Sequence, residues 1–304
     1  MGGMRDLEGR LVTLIGGSGF FGSRLTQELL GRGARVRIGC RHVERAFAIK
    51  PLANLGQMQV VRLDMRVEQE VAAAVAGADA VVNLVGAFTG DLDAVQGSGA
   101  GRVAALARAA GVQGFVQISA IGADAGSPVA YARTKAAGEV AVAAAFPGAA
   151  IVRPSVLFGP DDAFLGLFAK VIAQFPLVPV FAPHARLQPL FVDDAARAVA
   201  EIVAGWPAHA GRTFELAGPE VVTMLDLNVR IAAAQGRRRR FLAVPEGLAD
   251  LFARLPGTPL SMDQLTLLRA GNVASGAFPG LEDLEVPARP LGLFLKAWMA
   301  RFAR

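Results

Sequence analysis

Apolar and polar positions divide the chain into two kinds of patterning. Through residue 150, short apolar, β-branched runs bounded by turn residues recur at Leu11–Ile15, Val36–Gly39, Gln59–Leu63, Ala80–Val85, Phe115–Ile118 and Ala150–Val152. Runs so short and so uniformly apolar predict strands covered on both faces. Between them, Phe20–Arg32, Glu44–Leu55, Val67–Val75, Ala94–Ala110 and Tyr131–Ala145 carry helical spacing. Regular strand–helix alternation predicts βαβ units and a parallel sheet. The expected fold class is therefore α/β, a Rossmann-type doubly wound sheet over residues 1–155.

Beyond Pro154 the pattern loosens. Ala163–Gln174, Asp194–Ala204, Met224–Gln235, Pro245–Leu255 and Ser261–Leu268 read as helices, and Phe191–Val192 and Thr213–Leu216 as short strands. Prolines at 176, 179, 183 and 189 predict a long irregular loop. Residues 156–304 are expected to form a smaller C-terminal α/β lobe, with some segments returning to the main sheet. Leu291–Arg304 sets Leu291, Phe294, Leu295, Trp298 and Phe302 on one helical stripe. That stripe suits either a core of its own or a membrane or partner surface.

Composition removes several classes of function. One Cys among 304 residues excludes an internal disulfide, and three His without companion cysteines argue against a zinc site. No metal is expected. Residues 1–150 carry 15 basic and 12 acidic groups, and residues 151–304 carry 16 and 14. Most of the +5 net charge therefore sits in the single run Arg237–Arg240, which argues against a nucleic-acid-binding body. Neither a secretory signal nor a spanning helix is legible, so a cytoplasmic protein is expected.

The first βαβ unit carries the clearest chemistry. Gly16-Gly17-Ser18-Gly19-Phe20-Phe21-Gly22 follows the first strand and opens a helix. Such a turn lets backbone approach a pyrophosphate, which then sits on the helix N-terminus. Strand two ends without the acid that would take a ribose diol; Arg41 stands there instead, with Arg45 one turn on. A guanidinium meets a 2′-phosphate, so NADP(H) is favoured over NAD(H). Asp64 and Met65, after strand three, suit an adenine amino group and ring. Val85, Gly86 and Ala87, after strand four, are small enough for backbone to lie along a dinucleotide.

The only tyrosine, Tyr131, precedes Lys135 by four residues, one helical turn. A neighbouring cation favours phenolate, as general acid–base chemistry requires. Ser119, at the end of strand five, is suited to hydrogen-bond a substrate carbonyl or hydroxyl. Ser119, Tyr131 and Lys135 are the candidate catalytic set.

With Arg153-Pro154-Ser155-Val156-Leu157-Phe158-Gly159-Pro160, these residues resemble the extended and atypical short-chain dehydrogenase/reductase superfamily. In that resemblance the run from Arg153, with Pro154, closes the nicotinamide end of the site. Within the superfamily, Gln188–Asp194, Phe214–Glu220 and Phe278–Leu284 are similar to the NAD(P)H-binding accessory subunits of respiratory complex I and their bacterial relatives. The resemblance implies a tightly held NADPH and a C-terminal lobe facing the membrane and quinone-side subunits. It also implies a structural role on the cytoplasmic face of the inner membrane, with complex I subunits or the membrane surface as partners. The alternative is an enzyme, NADP-dependent, acting on an apolar isoprenoid- or quinone-like hydroxyl or carbonyl. A nucleotide-sugar epimerase is a weaker third reading, because the C-terminal lobe offers few polar anchors.

Overall fold

The computed structural model describes residues 6–255, 258 and 260–302. The chain divides into two compact units. The first comprises Met1–Pro154, Val192–Leu216 and Phe278–Val286; the second comprises Ser155–Phe191, Ala217–Ala277 and Pro287–Arg304.

The first unit is built on β1 (Leu11–Ile15), β2 (Arg35–Cys40), β3 (Met58–Arg62), β4 (Ala80–Asn83), β5 (Gly114–Ile118) and β6 (Ala150–Pro154). Every pairing is parallel, in the order β3-β2-β1-β4-β5-β6. A late segment, Thr213–Leu216, pairs parallel with β6 and extends the sheet to seven strands. This is the doubly wound Rossmann-type arrangement, whose direction reverses between β1 and β4. The connecting helices are α1 (Phe20–Gly31), α2 (Val43–Ala46), α3 (Glu68–Val75), α4 (Leu92–Gln96), α5 (Ser98–Ala109) and α6 (Ala130–Ala145). Buried Phe115, Val81, Val103, Ala104 and Val142 fill the space between the sheet and α3, α5 and α6.

Three local readings of the sequence change. The helix expected over Ala94–Ala110 is two helices, because Gly97 leaves helical geometry at φ −94°, ψ −110°. Asp93 restarts the second by accepting the Ser98 N–H at 3.1 Å and its hydroxyl at 2.6 Å. The helix expected over Glu44–Leu55 is the short α2 followed by a 3-10 turn, Phe47–Leu52, that contains Pro51. The expected strand Phe191–Val192 is displaced by one residue, since Val192 already opens a helix, Val192–Ala204.

In the second unit, β7 (Leu157–Phe158) pairs parallel with Leu190–Phe191, and β8 (Leu177–Val180) pairs parallel with Arg240–Ala243. The stretch expected as irregular loop thus contains short strands. Helices Ala163–Gln174, Met224–Ala234, Glu246–Arg254, Met262–Ala270 and Gly292–Met299 complete the unit. Leu291, Leu295 and Met299 are buried. The Phe294 ring stacks on Phe191 at 4.2 Å, and Trp298 meets Phe158 at 5.9 Å. The terminal stripe is therefore packed within its own unit; residues 303–304 lie outside the described residues. Among the described residues, no helix is long and apolar enough to cross a membrane.

Close packing of α1 on the turn before it makes a prediction. A Cβ on Gly22 would stand 2.5 Å from the Gly17 carbonyl oxygen, whereas one on Gly31 would meet nothing within 4 Å. Gly22→Ala is expected to cost roughly 1–3 kcal/mol by overpacking. Gly31→Ala is expected to gain up to about 1 kcal/mol from helix propensity. Urea unfolding of the two variants checks this.

Candidate functional site

The glycine turn follows the carboxyl end of β1, where the strand order reverses between β1 and β4. Gly16 has φ +84°, and a Cβ there would lie 3.0 Å from the Val85 side chain. A Cβ on Gly17 would stand 2.9 Å from the Leu14 side chain and 3.1 Å from that of Ile38. Gly19 differs: its Cβ would meet only the Gly16 carbonyl oxygen, at 3.6 Å. Gly19 is the N-cap of α1, no side chain caps that helix, and its first turn carries no acid. Phe20 and Phe21 form that turn. A helix start left without a capping group presents N–H donors and the positive end of the dipole to an anion. An open glycine before it admits a diphosphate, so the turn fits a dinucleotide. The Cys40 thiol, at the end of β2, donates to the His42 carbonyl at 3.5 Å.

Arg41 and Arg45 are exposed beyond β2. Asp64, after β3, is gripped by Arg66, whose Nε donates to both carboxylate oxygens at 2.9 and 3.2 Å. That bond, ahead of the other contributions, holds the Asp64 carboxyl down at about 2. Met65 is 5 % exposed and belongs to the hydrophobic core. Gly86 is exposed, and the Ala87 N–H donates to Gln96 Oε1 at 3.0 Å.

Helix α6 delivers Tyr131 and Lys135. The Lys135 side chain is 4 % exposed, lies beneath Gly86, and donates to the Ile118 carbonyl at 3.1 Å and the Val85 carbonyl at 3.5 Å. Burial lowers its ammonium to about 8, against a smaller opposing pull from Glu139. The Tyr131 ring stacks on Phe88 at 4.4 Å with 13° between planes. Lys135 Nζ stands 6.0 Å from the Tyr131 ring centroid. Burial pushes the phenol up to about 12. The expected lowering of Tyr131 by its lysine neighbour is thus not met. The ammonium is turned to two carbonyls, and loss of water around the phenol dominates.

Ser119 is 4 % exposed, and its hydroxyl donates to Glu139 Oε1 at 2.5 Å. Arg153 holds that carboxylate with two further bonds, at 2.9 and 2.6 Å, and lies 3.7 Å from Glu215. Phe278 covers the guanidinium at 5.0 Å. Pro154, the next residue, accepts the Ile121 N–H at 3.0 Å.

The structure therefore brings Ser119, Tyr131 and Lys135 to one end of the sheet. It also adds residues that sequence reasoning passed over. Glu139 follows Lys135 by four and was legible as a same-face neighbour. Gln96, 1 % exposed, ties the loop after β4 to α6 through the Thr134 hydroxyl at 2.8 Å. Phe88 and Arg66 gave no signal in the sequence. Among the described residues, no cluster of His, Cys, Asp and Glu suits a metal.

Comparison with known proteins agrees with this geometry. The family model for NAD(P)H-binding proteins matches residues 16–159. The chain is 30% identical to NADH dehydrogenase [ubiquinone] 1 alpha subcomplex subunit 9, mitochondrial, of Arabidopsis thaliana, over 94% of this chain and 76% of that protein. It is also 30% identical to the ceramide reductase of Caulobacter vibrioides, over 82% of this chain and 80% of that protein. Among solved structures, the UDP-Glc/GlcNAc 4-epimerase of Campylobacter jejuni superposes with a TM-score of 0.72, over 97% of this chain and 99% of that chain. At 15% identity, that likeness is one of fold.

The buried lysine gives a pH dependence. Lowering an ammonium from 10.5 to about 8 means that the unfolded chain binds the proton more tightly. Stability from this group is absent below pH 8 and present above pH 10.5. Relative to Lys135→Met, the protein should gain roughly 3 kcal/mol across that window. Denaturant titrations of both at pH 7.5, 9 and 10.5 measure the difference.

Proposed function

Because this chain belongs to the NAD(P)H-binding family of short-chain dehydrogenase/reductase relatives that includes NADH dehydrogenase alpha subcomplex subunit 9, we propose that it holds NADP(H) as a fixed ligand in a structural or assembly role at a respiratory membrane. The glycine turn and the uncapped start of α1 would take the diphosphate. Lys135 would hold the nicotinamide ribose, and Arg41, with Arg45 behind it, the 2′-phosphate. Asp64, Val85, Gly86, Ala87 and Pro154 are assigned to the walls of the same site. When bound, the dinucleotide supplies hydride chemistry. The chain's own residues hold and shield it.

The observation that carries binding over turnover is the state of the candidate catalytic set. The Ser119 hydroxyl is committed to Glu139, and the Tyr131 phenol is stacked under Phe88 and pushed up to about 12. A proton donor–acceptor working near neutral pH needs the opposite environment. The alternative, an NADP-dependent reductase of an apolar carbonyl, has the likeness to ceramide reductase behind it and is less favoured on this ground.

Two outcomes are expected. Arg41→Asp should weaken NADPH by tenfold or more, on the order of one charge-assisted hydrogen bond, while leaving NADH nearly unchanged. Equal losses for the two nucleotides in fluorescence titrations would remove Arg41 from phosphate reading. Native purification from the host membranes should recover the chain with NADH dehydrogenase activity and with unreacted NADPH. A free pool that oxidises NADPH with a ketone or quinone would sink the assembly reading.

A further inference from the structure

The polar network behind Lys135 has a charge pattern that simple strand-to-helix stapling does not require. On β6, Arg153 faces two carboxylates, Glu139 from α6 at 2.6 Å and Glu215 from the returning strand at 3.7 Å. All three side chains are largely buried, at 20 %, 12 % and 7 % exposure, and Phe278 covers the guanidinium. Two carboxylates on one guanidinium leave an excess negative charge. Water screens it poorly there, so it acts over short range with more force than on the surface. Glu139 is also the acceptor of the Ser119 hydroxyl. One helical turn back along α6 from this cluster sits Lys135.

Among the described residues, no other charge faces that ammonium. The end of β4 presents the Val85 carbonyl, β5 presents the Ile118 carbonyl, and α4 presents the neutral amide of Gln96. Along α6 its other neighbour one turn away is the neutral Tyr131 ring. Carbonyl dipoles satisfy the ammonium's N–H groups without supplying the counter-charge that a buried cation needs.

We propose that Glu139 is a positioning residue of the dinucleotide site: anchored by Arg153 and Ser119, its carboxylate serves as the counter-charge that keeps the buried Lys135 cationic and competent to hold a ligand's ribose hydroxyls. Ser119 then acts as an anchor of that carboxylate rather than as a group aimed at a substrate. The pairing also accounts for the second acid. With Glu215 present, the cluster of Arg153, Glu139, Glu215 and Lys135 is neutral as a whole only when Lys135 carries its proton. This rests on the reading of Lys135 as a dinucleotide-binding residue, but the charge state of Lys135 is measurable without any ligand.

The chain has four lysines, at 50, 135, 170 and 296. Lysine labelled with carbon-13 at Cε therefore gives four NMR signals, and Lys135→Met identifies the one of interest. In the unsubstituted protein that signal should titrate near 8. In Glu139→Gln it should titrate about one pH unit lower, the loss expected when an opposite charge at one turn is removed. Glu139→Asp, which retains the charge, should restore the midpoint to within a few tenths of a unit. Arg153→Met should move it the other way, upward, because the carboxylates lose their cation. A network that only staples the elements predicts the same midpoint in all of these variants, and that result would overturn the proposal. Should Glu139→Gln fail to fold, the upward shift in Arg153→Met decides; no shift or a downward one sinks the idea. A second arm titrates NADPH at pH 6 and pH 8. Glu139→Gln should match the parent at pH 6 and bind several-fold more weakly at pH 8. If the lysine midpoint moves as expected but NADPH affinity stays equal at both pH values, the counter-charge role stands and the assignment of Lys135 to the dinucleotide falls.

Discussion

A buried ammonium organises the carboxyl ends of β4 and β5 in this protein. Lys135 is almost sealed from water, and an unscreened cation there is tolerable only if its N–H groups and its charge are both answered. The carbonyls of Ile118 and Val85 answer the first need. This fixes where α6 sits against the ends of β4 and β5. Gly86 follows from the same placement, since a Cβ there would stand 3.2 Å from the ammonium. The small residues after β4, the register of α6 and the position of Tyr131 one turn earlier are all consequences of finding room for one charge.

The polar cluster beneath that lysine is assembled from distant parts of the chain. Ser119 ends β5, Glu139 is in α6, Arg153 is in β6, Glu215 belongs to the returning strand, and Phe278 arrives from a third segment of the same unit. The first unit is thus not a Rossmann half to which a second piece has been appended. Its seventh strand and its covering phenylalanine come from late in the sequence, and the site is complete only once they have folded back.

How much of this was readable beforehand follows from the range of the forces involved. The glycine turn, the parallel order of the first six strands and the pairing of Tyr131 with Lys135 are local patterns, set by turn geometry, apolar periodicity and helical spacing. The break at Gly97 depends on Asp93 turning to cap Ser98, a side-chain choice that apolar periodicity does not record. The Tyr131 environment inverted the expectation because spacing reveals which groups share a face but not how much water surrounds them. The Ser119–Glu139–Arg153 connection spans several elements, so the sequence offered Glu139 as a neighbour of Lys135 without indicating which way its carboxylate turns. Asp64 was legible as a strand-end acid, whereas its capture by Arg66 was not.

Tyr131 is the sole tyrosine of the chain, and it lies under Phe88 beside Lys135. Every tyrosine signal the protein emits is consequently a signal from this one spot. Ionisation of the phenol, seen as ultraviolet absorbance, reports its solvation with no background from other phenols. The protein thus carries, without any label, an optical probe of the spot where the Phe88 ring, the phenol and the buried lysine meet.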